Sequence, residues 1–222
     1  MFHSKIKLFL VLAGSFLLFL FLACCCLFLY ASPQHPTSVA LFKTVYNLAP
    51  DKKYMLELYS PQKRGVSAGY IPSEVDQFLC KRIEDTTDNK EVLAIANFYS
   101  LQTGGREGAC IYKVSDPAKE KMAAQLANDL DENPTLSGLY GKILLLEEIR
   151  QGTHFGKGGL SPNPPENNKR FTAEEWNKWM EKALPRAREK YKEWMNLNLN
   201  WEEKKKINPL EETSIKVFFC CG

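Results

Sequence analysis

The chain has 222 residues, 45% of them hydrophobic and 25% charged, and a formal net charge of +3. Its 29 basic and 26 acidic residues are interspersed, which describes a solvated surface and excludes a nucleic-acid footprint. The seven cysteines lack the paired spacing, with a second pair or histidines nearby, that a zinc module needs, so no metal or cofactor is expected.

Lys5 and Lys7 precede an unbroken apolar run over residues 8–31, LFLVLAGSFLLFLFLACCCLFLYA. At helical rise this run reaches about 36 Å, against a hydrocarbon core of about 30 Å, and it predicts a transmembrane signal anchor. A buried core helix would alternate with polar residues, and this run never does. Cations flanking a first span stay in the cytoplasm. No Lys or Arg follows the run until Lys43. The expected topology is a cytoplasmic N-terminus over 1–7, a single pass, and an extracytoplasmic body from Ser32 onward. Two processed forms compete with the anchor. A cleaved signal peptide has an apolar core of about 7–15 residues, and here the core is longer, with no small residue two positions before Ala31. Phe21-Leu22-Ala23-Cys24 looks like a lipobox, but cutting it leaves CCCLFLYA as the mature start. The triple cysteine within the run reads as apolar filler.

Residues 32–72 form a membrane-proximal segment in which Tyr54 to Tyr59, rich in aromatic and branched residues, reads as a short strand. A helical domain follows over 73–152. Ser73 with Asp76 three positions on opens a helix from Ser73 to Glu84, with Val75, Phe78, Leu79, Arg82 and Ile83 at helical spacing. Asp88 caps a second helix whose stripe is Val92, Ile95, Ala96 and Tyr99, with Glu91 at its third position and Gly104-Gly105 as the stop. The two make an αα-hairpin. Cys80 and Cys110 are the candidate disulfide, closing a loop of about 30 residues worth about 3–4 kcal/mol in an oxidising compartment; two buried free thiols are the alternative.

Asp116-Pro117 opens a third helix with Met122, Ala123, Leu126, Ala127 and Leu130 on one face, the proline sitting where its missing N–H costs nothing. Asn133-Pro134 opens a fourth carrying Leu136, Leu139, Tyr140, Ile143, Leu144 and Glu147, ended by Gly152. The two helix pairs are only weakly repeat-like, and two units fall short of the three a solenoid needs.

Residues 153–170 read as a Gly/Pro-rich linker. The stretch from Gly152 to Lys157 lacks the spacing, the Ser or Thr and the preceding strand of a phosphate-binding loop. The last section, 171–222, is a Trp-rich helix and tail. Thr172 and Glu175 form a capping box, and Trp176, Trp179, Met180, Ala183, Ala187, Tyr191 and Trp194 share one broad face. Pro185 is expected to kink or end this helix. Such a stripe docks on its own domain, binds a partner or lies on a membrane surface, and the glutamates of its polar face weigh against the last. The candidate partner-binding face is Trp176, Trp179, Met180, Tyr191 and Trp194. Ser214 to Phe219 reads as a second strand, paired with Tyr54 to Tyr59.

No catalytic motif emerges. His35 and His154 stand alone, and Glu147-Glu148 at a helix end reads as solvent-facing. The expected protein is mainly α, with one small β-pair, anchored in the membrane by a single pass. It acts outside the cytoplasm, the bacterial periplasm being favoured by the lack of proline-free N-x-S/T sequons. Its function is to bind a protein partner in the envelope, as an accessory, scaffold or immunity/inhibitor-type module. The alternative is a cell-envelope hydrolase using a lone acidic residue such as Glu147 or Glu148.

Overall fold

The structure, a computed structural model, describes residues 13–24, 36–59, 71–101, 109–132, 135–153, 159–162, 172–211, 213 and 215–218. It is mainly α-helical with one two-stranded sheet, and the chain divides into two compact units, Met1–Leu48 and Ala49–Gly222.

In the first unit, residues 13–24 form helix α1, with Phe16, Leu17, Phe19 and Phe21 exposed. Among the described residues no helix is long and apolar enough to cross a membrane. The described part of the anchor expected over 8–31, residues 13–24, is helical, and the described residues by themselves give no spanning helix. Positions 1–12 and 25–31 lie outside them. Helix α2, Pro36–Leu48, places Val39, Phe42 and Tyr46 on one face, and the rings of Phe42 and Tyr46 lie one turn apart with centroids separated by 5.9 Å.

The second unit begins with α3, Lys52–Tyr59, where the sequence suggests a strand. Asp51 decides the difference: its carboxylate accepts the Tyr54 N–H at 3.0 Å and its carbonyl accepts the Met55 N–H at 3.2 Å, satisfying two donors of the first turn. Met55, Leu56 and Tyr59 then fall on one buried face, the helical spacing that the spoiled strand alternation had concealed. Helix α4 is Ser73–Asp85, α5 is Asn89–Ser100, capped by Asp88 through the Lys90 N–H, and α6 is Asp116–Asn128, capped by Ser115. Helix α7, Leu136–Gln151, is capped by Thr135 and ends at Gly152, whose left-handed φ of 68° favours glycine. Nearly every residue of α7 from Leu139 to Ile149 is buried, and it packs against α5, α6 and the next helix. It is buried all round, as a helix without a polar stripe must be.

Helix α8 runs from Ala173 to Met195 with the Thr172–Glu175 capping box in place. It passes through Pro185 without ending. A proline costs one backbone bond, while Met180, Ala183, Leu184, Ala187, Tyr191 and Trp194 bury along its length, and this packing outweighs the loss. A short helix α9, Trp201–Lys204, follows.

The sheet pairs β1, Gly159–Pro162, antiparallel with β2, Ile215–Phe218, in the register Gly159↔Phe218 and Leu160↔Val217. The C-terminal strand is as expected, but its partner comes from the segment read as linker, since 54–59 is committed to α3. Tyr140 fixes β1 in place: its hydroxyl donates to the Leu160 carbonyl at 3.2 Å and accepts the Leu160 N–H at 3.1 Å. A Cβ at position 159 would lie 2.5 Å from that hydroxyl, which explains the glycine. Gly104-Gly105, Asn133-Pro134, His35, His154 and the remainder of the expected linker lie outside the described residues.

Candidate functional site

The apolar stripe of α4, Val75, Leu79 and Ile83, is buried and carries Cys80 with it. Cys110 opens a short 3-10 turn, Cys110–Tyr112. The two cysteines, 30 positions apart, stand at disulfide-bonding distance with Cα atoms separated by 6.2 Å. Asp76 does not act as a capping partner of Ser73. The helix N-cap is Pro72, with no side-chain cap, and Asp76 sits one position further in, on the buried face. There its carboxylate accepts the Tyr99 hydroxyl at 2.6 Å through one oxygen and the Cys110 N–H at 2.7 Å through the other. Burial, and then the charge of Asp76, push the Tyr99 hydroxyl well above the usual tyrosine value. Ligand atoms of Asp76, Cys80 and Cys110 all lie within 4.8 Å of one another.

A second buried polar group surrounds the acids read as solvent-facing. Glu147 is 0% exposed, on the all-buried helix α7. It accepts hydrogen bonds from Arg150 Nε at 2.8 Å, from Gln151 Nε2 at 2.6 Å and from the Tyr191 hydroxyl. Burial pushes its carboxyl up, but Arg150, Tyr191 and Gln151 together outweigh that and hold it below the ordinary carboxylate value. Arg150 also donates to the Lys205 carbonyl at 2.8 Å, tying α7 to the turn after α9. Glu148 is equally buried and accepts the Tyr112 hydroxyl at 3.1 Å. A carboxylate engaged in this way positions helices.

The five residues of the candidate partner-binding face separate into two sets. Met180, Tyr191 and Trp194 are 8%, 0% and 2% exposed. The Trp194 indole donates to the Lys204 carbonyl at 2.8 Å and its ring packs edge-on against Tyr191 and Trp201. These three belong to the core. Trp176 and Trp179, nearer the start of α8, are partly exposed. Their rings lie 5.0 Å apart, and Trp176 meets Tyr140 edge-on at 6.1 Å.

Clefts open to solvent lie elsewhere on the second unit. One, of about 440 Å³, lies between α3 and α5 and is lined by Asp51, Lys52, Lys53, Asp88, Lys90 and Glu91 among others. Another, of about 260 Å³, lies by Trp194, Leu197, Ile207 and Pro209. Neither is lined by Glu147 or Glu148. The chain matches no protein-family model, no curated protein and no solved structure.

The sequence reading picked out both cysteines and missed Asp76 and Tyr99, which the fold brings to them. A signal was present: Asp76 lies between Val75 and Leu79 on the stripe of α4, and Tyr99 on the stripe of α5. A polar residue on a buried stripe needs a partner.

Proposed function

We propose that this protein is a single-pass, membrane-anchored module whose body lies outside the cytoplasm and which acts by binding another protein. The observation that carries the reading is the Trp176–Trp179 pair. On a helix whose Met180, Leu184, Tyr191 and Trp194 are buried, two tryptophans remain half-buried beside each other, with Trp176 against Tyr140. Half-buried indoles in contact, with ring surface still open to solvent, are what protein interfaces use as anchors, because they bury large area at small entropic cost. The cysteine pair at bonding distance fits an oxidising compartment, and the uncharged run over 8–31 supports the anchor.

The test uses the full-length chain in its native membrane, with a photo-reactive residue in place of Trp179. One discrete protein adduct, lost on Trp176→Ala with circular dichroism unchanged, is the expected outcome. Trp194→Ala is the contrast, costing about 3–5 kcal/mol of stability as a core truncation. Loss of folding in Trp176→Ala would assign that ring to the core and remove the interface. Sidedness is read by labelling Cys80 and Cys110 in intact cells with a membrane-impermeant maleimide. Labelling only after reduction is expected; labelling only after lysis, without reductant, would place the body in the cytoplasm.

A further inference from the structure

Asp76 is a buried carboxylate with no Lys or Arg in ion-pair reach among the described residues. Its two hydrogen bonds, from Tyr99 and Cys110, use two of the roughly four lone-pair sites an ionised carboxylate offers. A buried charge without a counter-charge is costly. Both cysteine sulfurs face it, with all three ligand atoms inside 4.8 Å. A tetrahedral Zn²⁺, with Zn–S of about 2.3 Å and Zn–O of about 2.0–2.2 Å, holds its ligand atoms about 3.5–3.8 Å apart. In the oxidised form the two sulfurs are bonded to each other, so a cation enters only after reduction lets them part to about that spacing beside Asp76. The Tyr99 hydroxyl, 3.7 Å from Cys80 Sγ, donates to Asp76 Oδ1 at 2.6 Å and holds that carboxylate beside the sulfurs. Cys110 is only half-buried, which leaves a path for reductant and ion.

We propose that the reduced form of the Cys80–Cys110 pair, together with Asp76, is a binding site for a thiophilic divalent cation of the zinc class. Disulfide and metal are then mutually exclusive states of one site. The reduction is a thiol–disulfide exchange. A thiolate of a dithiol donor attacks Cys110 Sγ, the S–S bond breaks, and Cys80 leaves as thiolate. The donor's second thiol then displaces Cys110 and the donor departs as its own disulfide, two electrons having passed to the protein. Cation binding displaces one proton from each cysteine thiol, and the carboxylate of Asp76 completes the set. The bound cation supplies the counter-charge that Asp76 otherwise lacks, and thiolate ligands favour zinc-like over hard cations.

The experiment uses the full-length chain in detergent with Cys24, Cys25, Cys26, Cys220 and Cys221 replaced by serine, so that only one cysteine pair remains. Cadmium is the probe, read by thiolate-to-cadmium charge-transfer absorption. The oxidised chain is expected to show no such band. After treatment with dithiothreitol and its removal by gel filtration, the chain is expected to take up one equivalent. Asp76→Asn is expected to weaken uptake about tenfold or more, and Cys110→Ser to abolish it. One equivalent of Zn²⁺ is expected to slow re-formation of the disulfide by an added oxidised dithiol at least tenfold. Equal cadmium affinity in Asp76→Asn would overturn the site as drawn. So would a reduced chain that keeps its helical circular dichroism and binds nothing. A reduced chain that loses its helices and binds nothing overturns it as well, because the fold must hold the dithiol.

Discussion

Glu147 shows how a single residue is judged by its surroundings. Two adjacent acids near a helix end are ordinarily solvated, and that reading treats Glu147 by its sequence neighbours alone. In the fold its neighbours are Arg150, Gln151 and Tyr191, the last of them 44 positions away. Removing the charge with Glu147→Gln leaves Arg150 largely buried without its partner, and breaking a buried pair from one side costs about 3–5 kcal/mol. A urea unfolding midpoint measures it. The pH dependence has a definite sign. The folded-state value of Glu147 lies below the ordinary 4.5, so its contribution is present above that ordinary value and is lost as pH falls through the folded one. Denaturation series from neutral pH down to about pH 3 are expected to show a loss that Glu147→Gln makes smaller. Tyr99 and Tyr191 carry the opposite sign: both are held well above 10.0, so their contribution is present below that value and is lost as pH rises through the folded one.

At the scale of the element, helices with strong caps and regular stripes were legible: α5, α7 and α8 form where Asp88, Gly152 and the Thr172–Glu175 box indicate. Capping is local chemistry, complete within four residues. The strand at 54–59 failed as an expectation because six residues with Glu57 among them have no decisive period, and the Asp51 cap tipped them to helix. Strand β1 was illegible for a different reason. A Gly-Leu-Ser-Pro segment has no strand propensity of its own, and it becomes one only because Tyr140 and β2 supply its hydrogen bonds. This dependence is testable at Gly159. Gly159→Ala drives a Cβ to 2.5 Å from the Tyr140 hydroxyl and is expected to cost about 1–3 kcal/mol by overpacking. Tyr140→Phe removes the offending oxygen. The double variant is expected to lose less than the sum of the two single ones in thermal or urea unfolding, and full additivity would deny the contact.

For the whole molecule, the cysteine pair is the long-range constraint that sequence arithmetic found. It ties α4 to the 3-10 turn at Cys110 across 30 positions. Replacing both cysteines with alanine is expected to lower stability by about 3–4 kcal/mol through the freed loop, measured by urea denaturation of the oxidised wild type against the variant. Equal midpoints would show the pair unbonded in solution. By itself the sequence determined the helical class, most helix ends, the apolar run over 8–31 and Cys80 and Cys110 as the candidate pair, because caps, periodicity and composition act over a few residues or on counts. Only the tertiary structure decided that Asp76 and Tyr99 complete the cysteine cluster, that Glu147 is tied to Arg150 and Tyr191, and that the tryptophan stripe divides into a buried set and a half-buried pair. Those outcomes depend on which side chains from distant segments arrive at the same point, and burial there reverses what each residue would do in water.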